Sequence, residues 1–141
     1  MLPAGPRMSA KRFEHSVALD REGRAQTETG VELAIPKEWT AEHLVLAGLI
    51  RCSLASLKFF AEQQSVEASG SGSAEGVVTK RDEDGRYAFV EIECGLDVDL
   101  DPKPADEALK KLLEQAEWGC FIGASLTVKP RYEWRVNGLV A

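Results

Sequence analysis

Cys52 and Cys120 are the residues of this 141-residue chain whose type and setting best suit chemistry. Cys52 lies inside the apolar run 44–54, and Cys120 follows a second helical run in Ala116-Glu117-Trp118-Gly119-Cys120-Phe121. Two thiols in reach of one another are the minimum equipment for reducing a peroxide. A thiolate attacks the O–O bond, and a second thiol condenses with the resulting sulfenic acid to give a disulfide. Because 68 positions separate the pair, only the fold can bring them together. A free thiol ionises near about pH 8.5, so the attacking sulfur needs a cation or dipole beside it. The plain alternative is that both are small buried hydrophobes, since free cysteine is among the most buried residue types.

Charged residues elsewhere could activate a thiol. Arg21, in the turn Asp20-Arg21-Glu22-Gly23, carries a fork of donors able to hold both a thiolate and a peroxide oxygen, or it is simply a solvated turn residue. Glu42 sits in the first turn of a helix capped by Thr40, where a carboxylate also complements the helix dipole. Ten residues of helix rise about 15 Å, so Glu42 cannot touch Cys52 of its own helix. An antiparallel second copy of that helix would bring the two together. Arg51 adjoins Cys52 but points about 100° away around the helix. Cys94, on a strand in Glu91-Ile92-Glu93-Cys94-Gly95, reads as structural filler. A zinc site from His43, Cys52 and Cys120 has no ligand spacing behind it, and neither a phosphate loop nor a Ser/His/Asp motif is present.

A net charge of -6, with only Lys11-Arg12 and Lys80-Arg81 as paired basic residues, argues against nucleic acid or an anionic membrane as partner. Three cysteines without a Cys-x-x-Cys motif argue against a secreted disulfide framework and for a cytoplasmic setting. Residues 1–11 have no apolar core of a signal peptide and read as a flexible arm, leaving 12–141 as one domain. The most apolar stretch, 44–61, carries Arg51 centrally and Lys58 later, which marks a core helix rather than a membrane span.

Around these residues the pattern predicts strands over 12–19, 24–29 and 30–35, with a turn at 20–23 and Pro36 ending the sheet. A helix then runs from the Thr40 cap to about Gln64, with Gly48, Cys52 and Ser56 forming a stripe of small residues that lets another backbone approach. Residues 65–79 read equally as linker or strand, because 68–74 is Gly/Ser-rich. The turn 81–86 and the strand 87–93, continuing through 97–100, need an upstream hairpin partner, and that segment is the only candidate. Residues 106–118 form an amphipathic helix with Leu109, Leu112, Leu113 and Ala116 on one face, and strands follow at 124–128 and 132–136. The order is βββ-α-ββ-α-β, an α+β arrangement.

This order, with one cysteine inside the first helix and another just past the second, resembles the OsmC/Ohr family of osmotically inducible and organic hydroperoxide resistance proteins. The likeness runs from about Phe13 to Val136 and rests on Asp20-Arg21-Glu22-Gly23-Arg24, on Glu42 followed by Cys52, and on residues 116–120. Where the family commonly has Asn-Pro-Glu and Cys-Pro, this chain has Thr40-Ala41-Glu42 and Cys120-Phe121. The resemblance implies an intertwined homodimer, its central helices packed on antiparallel-rich sheets, that reduces organic hydroperoxides and, as a further candidate, hydrogen peroxide, without metal or flavin. It implies Cys52 as the peroxidatic thiol, Cys120 as the resolving thiol, Arg21 with Glu42 as the activating pair, and a dithiol or lipoyl-type reductant. Trp39, Phe59, Phe60, Trp118 and Phe121 would then supply an apolar wall. The competing expectation is a non-catalytic dimer of the same fold that binds an apolar ligand or senses redox state.

Overall fold

The computed structural model describes residues 10–141, so the arm expected over residues 1–11 lies outside it except for its last two positions. The chain forms two compact units, one ending at Trp39 and one running from Thr40 to Ala141. In the first, β1 (Val17–Leu19), β2 (Arg24–Thr27) and β3 (Glu32–Ala34) make an antiparallel meander in the order β1-β2-β3. The first strand is shorter than the sequence suggests, since residues 10–16 have no regular structure. Asp20 builds the β1–β2 turn: its Oδ1 accepts the backbone N–H groups of Glu22 and Arg24, each at 2.9 Å. Those hydrogen bonds and the Arg24 guanidinium hold its carboxyl below the usual range.

The second unit is built on α1 (Ala41–Glu62), β4 (Glu67–Lys80), β5 (Tyr87–Asp101), α2 (Asp106–Trp118), α3 (Phe121–Ser125), β6 (Arg131–Val136) and β7 (Leu139–Val140). Thr40 caps α1 as expected, and His43 closes a capping box, its Nδ1 accepting the Thr40 backbone N–H at 2.9 Å. The sheet order is β4-β5-β6-β7, antiparallel except for the parallel β5–β6 pair, which α2 and α3 connect. The Gly/Ser-rich segment is a strand: β4 pairs with β5 from Glu67↔Asp101 to Lys80↔Tyr87.

Its alternation explains why α1 lies so close. Ala68, Gly70, Gly72, Ala74 and Gly76 share one face of β4, and a Cβ added at Gly72 would stand 3.0 Å from Ile50 of α1 and 2.8 Å from the Gly95 carbonyl oxygen. The opposite face carries Ser69, Ser71, Ser73 and Glu75. The buried side of α2 is Leu109, Leu112, Leu113 and Ala116, the face read from its periodicity. They join Leu49 and Leu57 of α1 and Ile92, Cys94, Leu96 and Val98 of β5 in a single core.

One element differs in kind from its sequence expectation. The strand expected over 124–128 is absent; a short helix, α3, occupies 121–125 and irregular chain follows. The Cys120 Sγ caps it by accepting the Gly123 N–H at 3.3 Å, and Ser125 Oγ donates to the Phe121 carbonyl at 2.7 Å. Local side-chain bonds of this kind outweigh the weak β preference of so short a run. With the added β7, the observed order is βββ-α-ββ-α-α-ββ.

Candidate active site

Cys52 lies midway along α1 on the side facing the backbone between α2 and α3. Two members of the small-residue stripe meet another backbone: Ser56 stands against Gly119, whose added Cβ would come 2.9 Å from Ser56 Oγ, and the Ile122 N–H points at Cys52 Sγ, 3.5 Å away, whereas nothing among the described residues stands within 4 Å of a Cβ added at Gly48. Cys52 is half-buried, whereas Cys120 has no exposed surface. Burial pushes the Cys52 thiol up from the ordinary value; the Ile122 N–H opposes that push, and a hydrogen bond with the neighbouring Cys120 thiol adds to it. The two cysteines distant in sequence are thus brought to the same end of α3, where the consecutive N–H groups of Ile122 and Gly123 reach Cys52 Sγ at 3.5 Å and Cys120 Sγ at 3.3 Å.

The surroundings of Cys120 are more polar than those of Cys52. Ser53, fully buried in the next position of α1, donates to Cys120 Sγ at 3.5 Å and shares a hydrogen bond with the Tyr132 hydroxyl at 3.0 Å. Tyr132 is held on β6 by stacking with Trp134, their ring centroids 6.0 Å apart, and Trp134 Nε1–H donates to Glu117 of α2 at 2.9 Å. Burial raises the Tyr132 phenol well above its usual value, so it stays protonated. Cys94, paired in register with Tyr132 on the neighbouring strand, is buried, and its thiol is pushed up to about 11. Sequence reasoning passed over Ser53 and Tyr132. The available signals were a serine beside Cys52 inside an apolar helix, and a tyrosine two residues before Trp134 on the same strand face.

Of the remaining expected residues, Glu42 shares α1 and the second unit with Cys52, and Arg21 belongs to the first unit. Glu42 is exposed in the first turn of α1, ten residues before Cys52 on the same helix, so α1 itself keeps them about 15 Å apart. Arg21 is exposed in the β1–β2 turn of the first unit. Neither makes an ion pair among the described residues. No group of three or more His, Cys, Asp or Glu side chains able to hold a metal occurs among the described residues.

A family model described as OsmC-like protein matches residues 35–135. The chain belongs to the OsmC-like family. That match takes in Glu42, Cys52 and Cys120 and begins after Arg21. Solved structures repeat the OsmC-like fold. An OsmC-like protein of unknown function from Vibrio cholerae superposes with a TM-score of 0.70 at 17% identity, covering 87% of this chain and 99% of its own. An OsmC-like protein from Mycoplasma pneumoniae gives 0.66 at 16% identity, covering 91% and 99%. An organic hydroperoxide resistance protein from Elizabethkingia anophelis, with thiocyanate bound, gives 0.59 at 17% identity, covering 93% and 100%. At these identities the likeness speaks to the fold. No curated protein matches the chain.

Proposed function

We propose that this OsmC-like protein is a cysteine-based hydroperoxide reductase. The observation that carries the reading is that half-buried Cys52 and buried Cys120 accept from consecutive backbone N–H groups, those of Ile122 at 3.5 Å and Gly123 at 3.3 Å. Cys52 thiolate attacks the distal peroxide oxygen, the O–O bond breaks, and the alkoxide leaves as alcohol after taking a proton. Cys120 sulfur then displaces hydroxide from the Cys52 sulfenic acid, giving a disulfide and water. A dithiol or lipoyl-type reductant reopens that bond, in the cytoplasm. Organic hydroperoxides are the favoured substrates because the exposed apolar residues of the second unit, among them Phe59, Trp118 and Phe121, supply surface for a hydrocarbon chain.

Its own chain leaves the Cys52 thiol shifted upward, so ionisation at neutral pH needs a cation. We assign that role to Arg21, oriented by Glu42, supplied by a second copy in an intertwined homodimer. The helix geometry supports this, because one α1 cannot bring its own Glu42 to its own Cys52. Large exposed apolar side chains on α1, Leu44 and Phe59, give a second copy something to cover.

The test is to add substoichiometric cumene hydroperoxide to the reduced protein and follow free thiols and non-reducing peptide masses. Rapid formation of a Cys52–Cys120 bond, abolished in Cys52→Ser, is the expected outcome. The same upward shift of Cys52 favours a second reading, a non-catalytic dimer that binds an apolar ligand or responds slowly to oxidants. Persistence of all three free thiols under the same treatment would sink the reductase and leave that reading.

A further inference from the structure

Ser53 is an unusual residue to find fully buried. A helical serine ordinarily returns its hydroxyl to the carbonyl one turn back, but here it is directed sideways, to Cys120 Sγ at 3.5 Å and to the Tyr132 hydroxyl at 3.0 Å. Packing does not require either hydroxyl. An alanine and a phenylalanine would fill nearly the same volume without placing polar atoms beside the apolar core against which Tyr132 packs. What the two hydroxyls add is a hydrogen-bonded line from a buried sulfur to a half-buried residue, Tyr132, which also lines a groove of about 580 Å³ with Glu114, Trp118, Gly123 and Lys129.

We infer that Ser53 and Tyr132 form a two-hydroxyl proton relay that ionises Cys120 as it attacks oxidised Cys52 and returns the proton when the disulfide is opened. This rests on the assignment of Cys120 as the resolving thiol. The buried sulfur has a chemical problem that Cys52 does not: its thiol must lose a proton in a place that water does not reach. Each hydroxyl can donate or accept, so the line can point either way. In the structure Ser53 donates to Cys120 Sγ; when both hydroxyls turn, the Cys120 S–H donates to Ser53 Oγ and Ser53 donates to Tyr132 Oη.

As the Cys120 sulfur bonds to Cys52, its proton passes to Ser53 Oγ, the Ser53 proton passes to Tyr132 Oη, and the Tyr132 proton goes to water in the groove. The line then reads in the opposite direction. The S–O bond of the sulfenic acid breaks, and the departing hydroxide takes one proton to become water. One proton leaves Cys120 and one is consumed, so the step balances. The Gly123 N–H, 3.3 Å from Cys120 Sγ, stabilises the transient anion. Ser53 touches the reacting sulfur; Tyr132 acts through it and is a positioning residue. The raised phenol keeps Tyr132 neutral and able to relay across the working pH range.

The experiment separates the two oxidation steps. Wild type, Ser53→Ala and Tyr132→Phe are mixed with one equivalent of cumene hydroperoxide and quenched at intervals with dimedone and a maleimide. Mass spectrometry then counts sulfenic acid at Cys52 and the Cys52–Cys120 disulfide, across pH. Sulfenic acid is expected to form at the wild-type rate in both variants. Disulfide closure is expected to slow by about tenfold or more in Ser53→Ala and less in Tyr132→Phe. Its pH profile in Ser53→Ala is expected to move alkaline by about one pH unit, because closure then waits for a thiol that has lost its proton acceptor. Closure of both variants at the wild-type rate and pH profile overturns the relay while leaving the reductase standing. Equal slowing of both steps also overturns it, because that marks a packing defect. If wild type forms no sulfenic acid at Cys52, the reductase reading and the relay fall together.

Discussion

Three thiols share the second unit, and their surroundings differ. Cys52 is half-buried with a backbone N–H aimed at its sulfur, Cys120 is buried with a serine hydroxyl and a backbone N–H, and Cys94 is buried on β5. Cys94 offers a test of how strongly the core holds a neutral thiol. Unfolded, it ionises at the ordinary value of 9.0; folded, burial pushes it to about 11. Between those values the folded chain keeps a proton that the unfolded chain has lost, so the contribution to stability is full below pH 9.0 and disappears as pH climbs through about 11. In urea melts the stability advantage of wild type over Cys94→Ala should shrink steadily across that window. A gap that stays constant contradicts the burial effect. The thiol pair itself was legible in the sequence as types and spacing. Ser53 and Tyr132 were not, because hydroxyl function here comes from three elements converging, and no local pattern records which buried serine meets which sulfur.

At the scale of elements, the central surprise is β4. A composition of glycine and serine suggests a linker, yet Ala68 to Gly76 alternates a small residue inward with Ser or Glu outward, the period of a strand. The signal was present but weak, because the inward positions carry almost no hydrophobic side chain. Their function is to let α1 settle directly onto backbone. Gly72→Ala is therefore expected to destabilise the protein by about 1–3 kcal/mol, since the new methyl meets the Gly95 carbonyl as well as Leu96 and Ile50. Gly48→Ala, where no neighbouring element among the described residues stands within 4 Å of the added Cβ, is the control and should be neutral or stabilising in chemical denaturation. The α1 and α2 boundaries were legible to within a few residues from a cap and a periodic apolar face. The strand expected over 124–128 gives way to a helix over 121–125 and irregular chain after it, because that helix depends on the Cys120 sulfur as a cap, a role composition does not announce.

For the whole molecule, the proposed assembly makes a prediction that a single chain cannot. If each site takes its thiols from one copy and Arg21 with Glu42 from the other, Cys52→Ser and the double variant Arg21→Ala, Glu42→Gln are each inactive alone. Unfolded together and refolded, they should recover roughly a quarter of wild-type peroxidase activity, because about half the dimers are mixed and each mixed dimer holds one complete site. An inactive mixture that still dimerises on a sizing column would place both halves of the site in the same chain. In that proposed assembly a symmetry operation joins Arg21 and Glu42 to Cys52, and no residue pattern along one chain records it.

The ring of Phe89 lies across Gly76, so that an added Cβ there would come 2.5 Å from its edge. Unlike Gly72, this position is blocked by a side chain rather than by backbone, so the obstruction is removable. The consequence is that the two positions answer for each other: a methyl at 76 is accommodated where the ring at 89 turns aside or is trimmed, so changes at the two sites are not additive.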